Sequence, residues 1–186
     1  GVAQPDQWLA MDRIADEYAN GTLKITTRQT WQLHGVIKNN LKASIQEMDK
    51  SLLDCIAACG DVNRNVICNA NPHLSEVHAE AVELSRNISE HLLPQSRAYH
   101  EIFLDEEKVI SSEEQVEPLY GKTYLPRKFK IAVCGSEEDR AAFLLHDIGL
   151  QLMKNEQGEL GFEVFVGGGL GRTPIIGSSI RKFLPK

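Results

Sequence analysis

Apolar residues recur at helical spacing along DQWLAMDRIADEYANG, through Trp8, Met11, Ile14, Ala15 and Tyr18, and predict an amphipathic helix stopped by Asn20-Gly21. The next stretch, TLKITTRQTWQLHGV, changes period. Its alternation and its content of Thr, Ile, Trp and Val predict one strand, or two with a break near Arg28. In SIQEMDKSLLDCIAACG the positions Ile45, Met48, Leu52, Cys55 and Cys59 return to a single helical stripe ending at Gly60. The turn-rich CGDVNRNVICNANP follows, where Asn and Asp bond locally to the backbone.

A long helix is predicted from near Pro72 through Leu74, Val77, Ala81, Leu84, Ile88 and Leu92, with Pro94 as its stop. AYHEIFLDEE alternates as a strand, 108–123 reads as a polar loop, and RKFKIAVCG reads as a strand ending at Gly135. DIGLQLMKNEQGELGFEVFVGGG predicts a hairpin turned over Asn155–Gly158. The fold class expected from this order is α+β with a mostly antiparallel sheet, in two parts, 1–59 and 60–186.

Composition narrows the function classes. The net charge of −6 removes any general attraction to nucleic acid or anionic lipid, so neither is expected as a partner. No run of 18 apolar residues offers a membrane span, and GVAQPDQWLA has neither the basic nor the apolar region of a signal peptide. A cytoplasmic protein is expected. The chain begins without Met and stops at RKFLPK, and it is expected to be a piece of something longer. Of its four cysteines, Cys55 and Cys59 sit on the helical stripe, where such residues act as small buried hydrophobes. With no C-x-x-C or Cys/His spacing, no metal ligands are expected in this chain.

In an acidic chain, local positive clusters stand out. YLPRKFKIAV places Arg127, Lys128 and Lys130 where an apolar strand begins. On a strand Lys128 and Lys130 share one face with Cα atoms about 7 Å apart. They repel each other there unless an anion lies between them, although lysines guarding a sheet edge are a common alternative. Arg64 in DVNRNV, between Asn63 and Asn65, would cap a helix or bind an anion. Arg28, Gln32 and His34 follow at even spacing and would line one face of a single extended strand. FVGGGLGR leaves the amides of Gly167, Gly168 and Gly169 able to face an anion, or supplies positive φ angles to a tight loop. It does not fit a nucleotide-binding fingerprint.

TTRQTWQLHG, NRNVICN, LPRKFKIAV and VGGGLGRTP, in this order, resemble the sirohaem-dependent sulfite and nitrite reductases, and ISEHLLPQSRAYHEIFLD and LYGKTYLPRKFK extend the likeness over nearly the whole chain. The resemblance implies a partial ferredoxin-like domain over 1–59 and a sirohaem-binding α+β lobe over 60–186. It implies that Arg64, Lys128 and Lys130 hold the substrate anion as catalytic residues, and that Arg28 faces the cofactor and its carboxylates. Gln32, His34, Asn63, Asn65 and Arg127 would line the same cavity, with Gly167, Gly168 and Gly169 in a loop near the cofactor. The reaction implied is six-electron reduction of sulfite to sulfide at a sirohaem coupled to a 4Fe-4S cluster. Electrons would come from a flavoprotein reductase or a ferredoxin.

Lys128-Phe129-Lys130 matches the Lys-x-Lys of sulfite-reducing members, whereas nitrite-specialised members often carry Asn at the second position. Two family features have no counterpart here: an Arg-x-Arg segment, which would precede Gly1, and the C-x5-C and C-x3-C cluster ligands. Cys55-x3-Cys59 has the spacing but lies in the wrong segment, so the chain alone is expected to be inactive. Nitrite reduction and a non-catalytic tetrapyrrole- or anion-binding module are the alternatives.

Overall fold

A computed structural model describes residues 2–58, 60–69, 71–96, 101–104, 107–111, 116–136, 138 and 140–186, with 101–104 and 107–111 described as backbone. The chain divides into two units, Gly1–Ile56 and Ala57–Lys186.

In the first unit, helix α1 (Pro5–Tyr18) starts with Pro5, whose missing N–H costs nothing there, and with Gln4 N–H donating to Gln7 Oε1 at 2.9 Å. It buries the stripe Ala10, Met11, Ile14 and Ala15. Trp8, the first residue of the expected stripe, is partly exposed and meets Trp31 edge-on, with ring centroids 4.9 Å apart. Gly21 ends the helix at φ 75°, its N–H reaching back to Ala15 O at 2.9 Å. Strands β1 (Leu23–Ile25) and β2 (Trp31–Leu33) form an antiparallel hairpin, so the Thr-rich segment is two strands. Arg28 lies in the connecting turn, closed by Thr26 N–H to Thr30 O at 2.8 Å.

Helix α2 (Lys38–Lys50) is shorter than its apolar pattern. Leu53 N–H bonds Met48 O and Ser51 Oγ bonds Glu47 O, each at 3.0 Å, and Leu52 turns left-handed at φ 57°. This local closure outcompetes the periodicity. Leu52 is 89% exposed and Cys55 is exposed as well, against the expected buried stripe, while Cys59 lies outside the described residues.

The second unit is built on a five-stranded sheet in the order β3 (Ile67–Cys68), β6 (Ile131–Cys134), β7 (Ile148–Lys154), β8 (Leu160–Val166), β9 (Ser178–Pro185). Strands β3, β6 and β7 run parallel; β7, β8 and β9 run antiparallel. Separately, β4 (Glu101–Leu104) and β5 (Glu107–Ser111) form an antiparallel hairpin, Ile102 opposite Ile110, where the sequence suggested a loop from residue 108. The class is α+β, and the central sheet is mixed. Its parallel pairs arise where long connections, rather than hairpins, join neighbouring strands.

Helix α3 (Glu76–His91) covers one face. It begins at Glu76 rather than near Pro72 because Ser75 Oγ accepts the His78 N–H at 3.3 Å as N-cap. Val77, Ala81, Leu84 and Ile88 pack on Val66, Ile131, Val133, Leu152 and Phe162. Ala132, Cys134, Ala141 and Phe143 form a second cluster with Ile67 and Phe165, and the register places it on the opposite face. The expected hairpin holds: Asn155 Oδ1 accepts the N–H groups of Gln157 and Glu159, and Gly158 sits at φ 80°. Among the described residues no helix is long and apolar enough to cross a membrane.

Candidate functional site

The register of the large sheet gathers the second unit's candidate residues at one end. Ile131, Ile148, Val166 and Ser178 lie side by side across β6, β7, β8 and β9. The residues just outside that row are therefore neighbours: Lys130 before β6, Asp147 before β7, Gly167 after β8 and Gly177 before β9. Strand β6 starts at Ile131, not at Arg127, so the two lysines precede it. They flank Phe129, which makes a single parallel bridge to Asn63 and packs into the α3-side core. Phe129 N–H donates to Val62 O at 3.2 Å, and Phe129 O accepts from Arg64 N–H at 2.8 Å. The NRN motif and the lysine motif are thus hydrogen-bonded to each other.

Their side chains differ in environment. Arg127 and Lys128 are exposed and Lys130 is half-buried; among the described residues none has a carboxylate partner. Arg64 is only 7% exposed, and its guanidinium donates to Ala57 O at 2.5 Å and Gly60 O at 3.3 Å. Those are neutral acceptors. A buried cation without an opposing charge is costly, and an anion beside it would relieve that cost. Asn63, 4% exposed, spends its amide Nδ2–H on Arg64 O at 2.6 Å and leaves Oδ1 without a partner among the described residues. Asn65 is half-buried in the same segment.

The glycine loop completes this end. A Cβ on Gly168 would stand 2.4 Å from the carbonyl oxygens of both Leu144 and His146, so only glycine lets the loop lie on the 3-10 turn Phe143–Leu145. Gly167 takes φ 81°, and a Cβ there or on Gly169 would meet nothing within 4 Å. Gly169 and Ile175 exchange both backbone hydrogen bonds, at 2.9 and 2.8 Å, closing the loop that carries Arg172. Gly168→Ala should lower the melting temperature by about 5 °C through overpacking, and Gly169→Ala should leave it nearly unchanged; calorimetry on the two variants measures the contrast.

Arg28, Gln32 and His34 belong to the first unit. Gln32, in β2, and His34, just beyond it, are exposed, whereas half-buried Arg28 is in the turn and not on a common strand with them. The expected three-residue strand face is therefore corrected: the Thr26–Thr30 closure breaks the strand before Gln32.

Two residues that the sequence did not single out as site residues tie neighbouring segments together, Asp147 at this end of the sheet and Glu117 in the turn 117–121. Asp147 Oδ2 accepts the Lys130 N–H at 2.9 Å. Glu117, 1% exposed, gathers four hydrogen bonds: Oε2 accepts from Gln95 N–H, Ser96 N–H and Ser96 Oγ–H, and Oε1 from Leu119 N–H. Burial raises its pKa, but those hydrogen bonds outweigh burial and hold the carboxyl below its ordinary value. The turn it anchors carries Tyr120, whose hydroxyl donates to Leu92 O and accepts from Asn63 N–H. Burial pushes the Tyr120 phenol upward.

Exposed and half-buried cations without carboxylate partners among the described residues, and a buried unbalanced arginine, fit a small anion or a polycarboxylated cofactor. The glycine loop, expected to turn its amides to an anion, instead spends those of Gly167 and Gly169 on Asp147 O and Ile175 O. The described cysteines do not fit an iron–sulfur cluster. Cys68 receives a Ser85 hydroxyl at 3.3 Å on the α3 side of the sheet, and Cys134 bonds Ser136 O at 3.0 Å on the other side. Among the described residues no group of three or more His, Cys, Asp or Glu stands ready for a metal ion.

Comparison with known proteins points the same way. The profile described as "Nitrite and sulphite reductase 4Fe-4S domain" matches residues 83–186, and "Nitrite/Sulfite reductase ferredoxin-like half domain" matches 1–51. The sulfite reductase [NADPH] hemoprotein beta-component of Staphylococcus haemolyticus is 54% identical over 173 residues, covering 93% of this chain and 30% of that protein. The protein of the same description from Bacillus pumilus is 53% identical over 175 residues, with the same coverage. The chain thus spans about a third of these relatives' length. The structure of Mycobacterium tuberculosis NirA aligns with a TM-score of 0.67 at 22% identity, over 96% of this chain and 28% of that one, a likeness of fold.

Proposed function

The chain belongs to the nitrite and sulphite reductase family, and on that premise we propose that it serves as the anion-binding portion of a sulfite-reducing haemoprotein of the relatives' length. The observation that carries this reading is Arg64, a buried guanidinium balanced by no carboxylate among the described residues, hydrogen-bonded through its backbone to the segment of Lys128 and Lys130. Sulfite is a small, doubly chargeable anion. Two ammonium groups and a guanidinium around it would supply both its charge balance and several of the hydrogen bonds its oxygens lose on leaving water.

The residues present also suit sirohaem, whose carboxylates need cations: on the second unit Arg127 is the candidate, with Asn65 as a neutral partner, while the Gly167 and Gly169 amides are already spent on Asp147 O and Ile175 O; on the first unit, taken by itself, Arg28, Gln32 and His34 are the candidates. When bound, sirohaem would relay the donor's electrons to the anion. The chain's own residues bind and orient the anion and hold protons at its oxygens. Lys128 and Lys130 are the donors suited to that, since each ammonium offers three N–H donors on a compact positive charge. The iron–sulfur ligands would lie in the remaining two thirds of such a polypeptide.

Lys130 favours sulfite over nitrite, because a second cation stabilises a dianion about twice as much as a monoanion. A donor drawing on NADPH fits the names of the relatives, with a flavoprotein reductase as the carrier that would pass its electrons on, and the cytoplasm is the compartment this chemistry fits. The test is steady-state turnover by the full-length polypeptide with a chemically reduced viologen as electron source. A higher kcat/KM for sulfite than for nitrite supports the reading. Preference for nitrite reverses the substrate, and a haem-loaded protein that turns over neither anion is a binding module.

A further inference from the structure

Lys128 and Lys130 work as anion ligands only if their backbone is fixed, because an ammonium on a four-carbon stem swings farther than the Cα that carries it. Phe129 is locked on one side by Val62 O and Arg64 N–H. The next residue is locked on the other side, toward β7. Lys130 N–H donates to Asp147 Oδ2 at 2.9 Å, and Lys130 O accepts the Ile148 N–H at 3.3 Å. Asp147 has a second tie: its own carbonyl accepts the Gly167 N–H at 3.1 Å. One residue therefore touches the lysine segment with its side chain and the start of the glycine loop with its main chain.

The placement has a chemical peculiarity. A carboxylate at the end of a sheet that collects cations would ordinarily pair with one of them, and a carboxylate paired to Lys130 or Lys128 would compete with an incoming anion. Asp147 forms no ion pair among the described residues; its oxygen is committed to a backbone amide. The lysines are thereby left available. We propose that Asp147 is a positioning residue for sulfite binding. Its side chain fixes the Lys130 peptide, sets where the two ammonium groups point, and joins that setting to the glycine loop at Gly167. This inference rests on the sulfite-reductase reading above and adds a residue to its machinery.

Two variants separate hydrogen bonding from charge. Asp147→Asn keeps a carbonyl oxygen for the Lys130 N–H and removes the charge; Asp147→Ala removes both. In the full-length enzyme Asp147→Ala is expected to lower kcat/KM for sulfite by about tenfold or more, carried mainly by a higher KM, as misplacement of binding groups does. Asp147→Asn should stay within about threefold of the parent enzyme, the conservative variant rescuing the loss. Hydrogen exchange at the Lys130 amide, measured on this chain by NMR, should accelerate in Asp147→Ala and stay protected in Asp147→Asn. An unchanged sulfite KM in Asp147→Ala, or an Asp147→Asn enzyme as impaired as Asp147→Ala, overturns the positioning role while leaving the parent activity standing. A parent enzyme without sulfite turnover overturns the functional reading itself and this inference with it. The amide-exchange contrast then still reports whether Asp147 locks Lys130.

Discussion

Lys130→Ala, introduced into the full-length enzyme, is expected to lower kcat/KM for sulfite by about 10²-fold, the usual cost of removing one preorganised donor from a developing or bound anion. The fold should barely register the change. Lys130 is half-buried, its side chain has no ion-pair partner among the described residues, and the backbone bonds to Asp147 and Ile148 survive the substitution. A shift of about 2 °C or less in melting temperature is the matching expectation. Lys130→Asn refines the test, since it keeps a neutral donor and removes the charge. Deleting a charge penalises a dianion about twice as much, in free energy, as a monoanion. The ratio of sulfite to nitrite kcat/KM should therefore fall. A parallel loss of both anions would mean that Lys130 acts on something they share, such as proton supply, and a variant with full sulfite turnover would remove Lys130 from the site.

Arg64→Ala is a poorer probe, for a reason the sequence did not show. The arginine is buried and ties together 57–64 through Ala57 O and Gly60 O, so its loss mixes packing with charge. The sequence supplied the residue type and its company in NRN but not its burial, which depends on a loop folding back over it. The same division runs through the whole chain. Features closed by local chemistry were legible: the α1 stripe, its Asn20-Gly21 stop, and the hairpin whose Asn155 side chain builds its own turn.

Features decided by competition or by distant partners were not legible. The α2 pattern runs on past Lys50, yet short-range bonds from Ser51, Leu52 and Leu53 end the helix there. Strand β9 has Arg181 and Lys182 within it and is mostly exposed, so no alternation betrays it; it forms because the edge of β8 pairs with it. Asp147 looks like any polar residue before an apolar strand, because its partner is a backbone N–H that carries no sequence signal. Motif matching named the side chains proposed to touch an anion, and packing revealed the residues bonded to their segments.

Glu117 is the strongest case of such support, and it carries a pH signature. Its carboxylate receives four hydrogen bonds at 2.7–3.2 Å while 1% exposed, and joins 95–96, after α3, to the turn 117–121. That turn presents Tyr120 to Asn63, and Leu125 N–H then bonds Asp61 O at 2.9 Å, so the chain on either side of the two proposed anion-binding motifs is tied to it. In Glu117→Gln one carboxylate oxygen becomes an NH₂ that faces N–H donors, and the buried bonds on that side become repulsive. The expected loss is about 3 kcal/mol at neutral pH, read as a lower midpoint in urea at unchanged slope. The sign of the pH effect follows from the lowered pKa. A carboxyl that titrates lower folded than unfolded adds stability above its unfolded pKa, and that contribution is lost as pH falls through the folded value. Acidification below about pH 4.5 should therefore destabilise the parent chain at this site and not Glu117→Gln, narrowing the gap between them. A gap that stays constant down to the acid unfolding limit would show that Glu117 contributes through shape and not through its charge. A site at which sulfite affinity survived Glu117→Gln undiminished in the folded protein would show that the turn is not what holds Asn63 and the lysines in register.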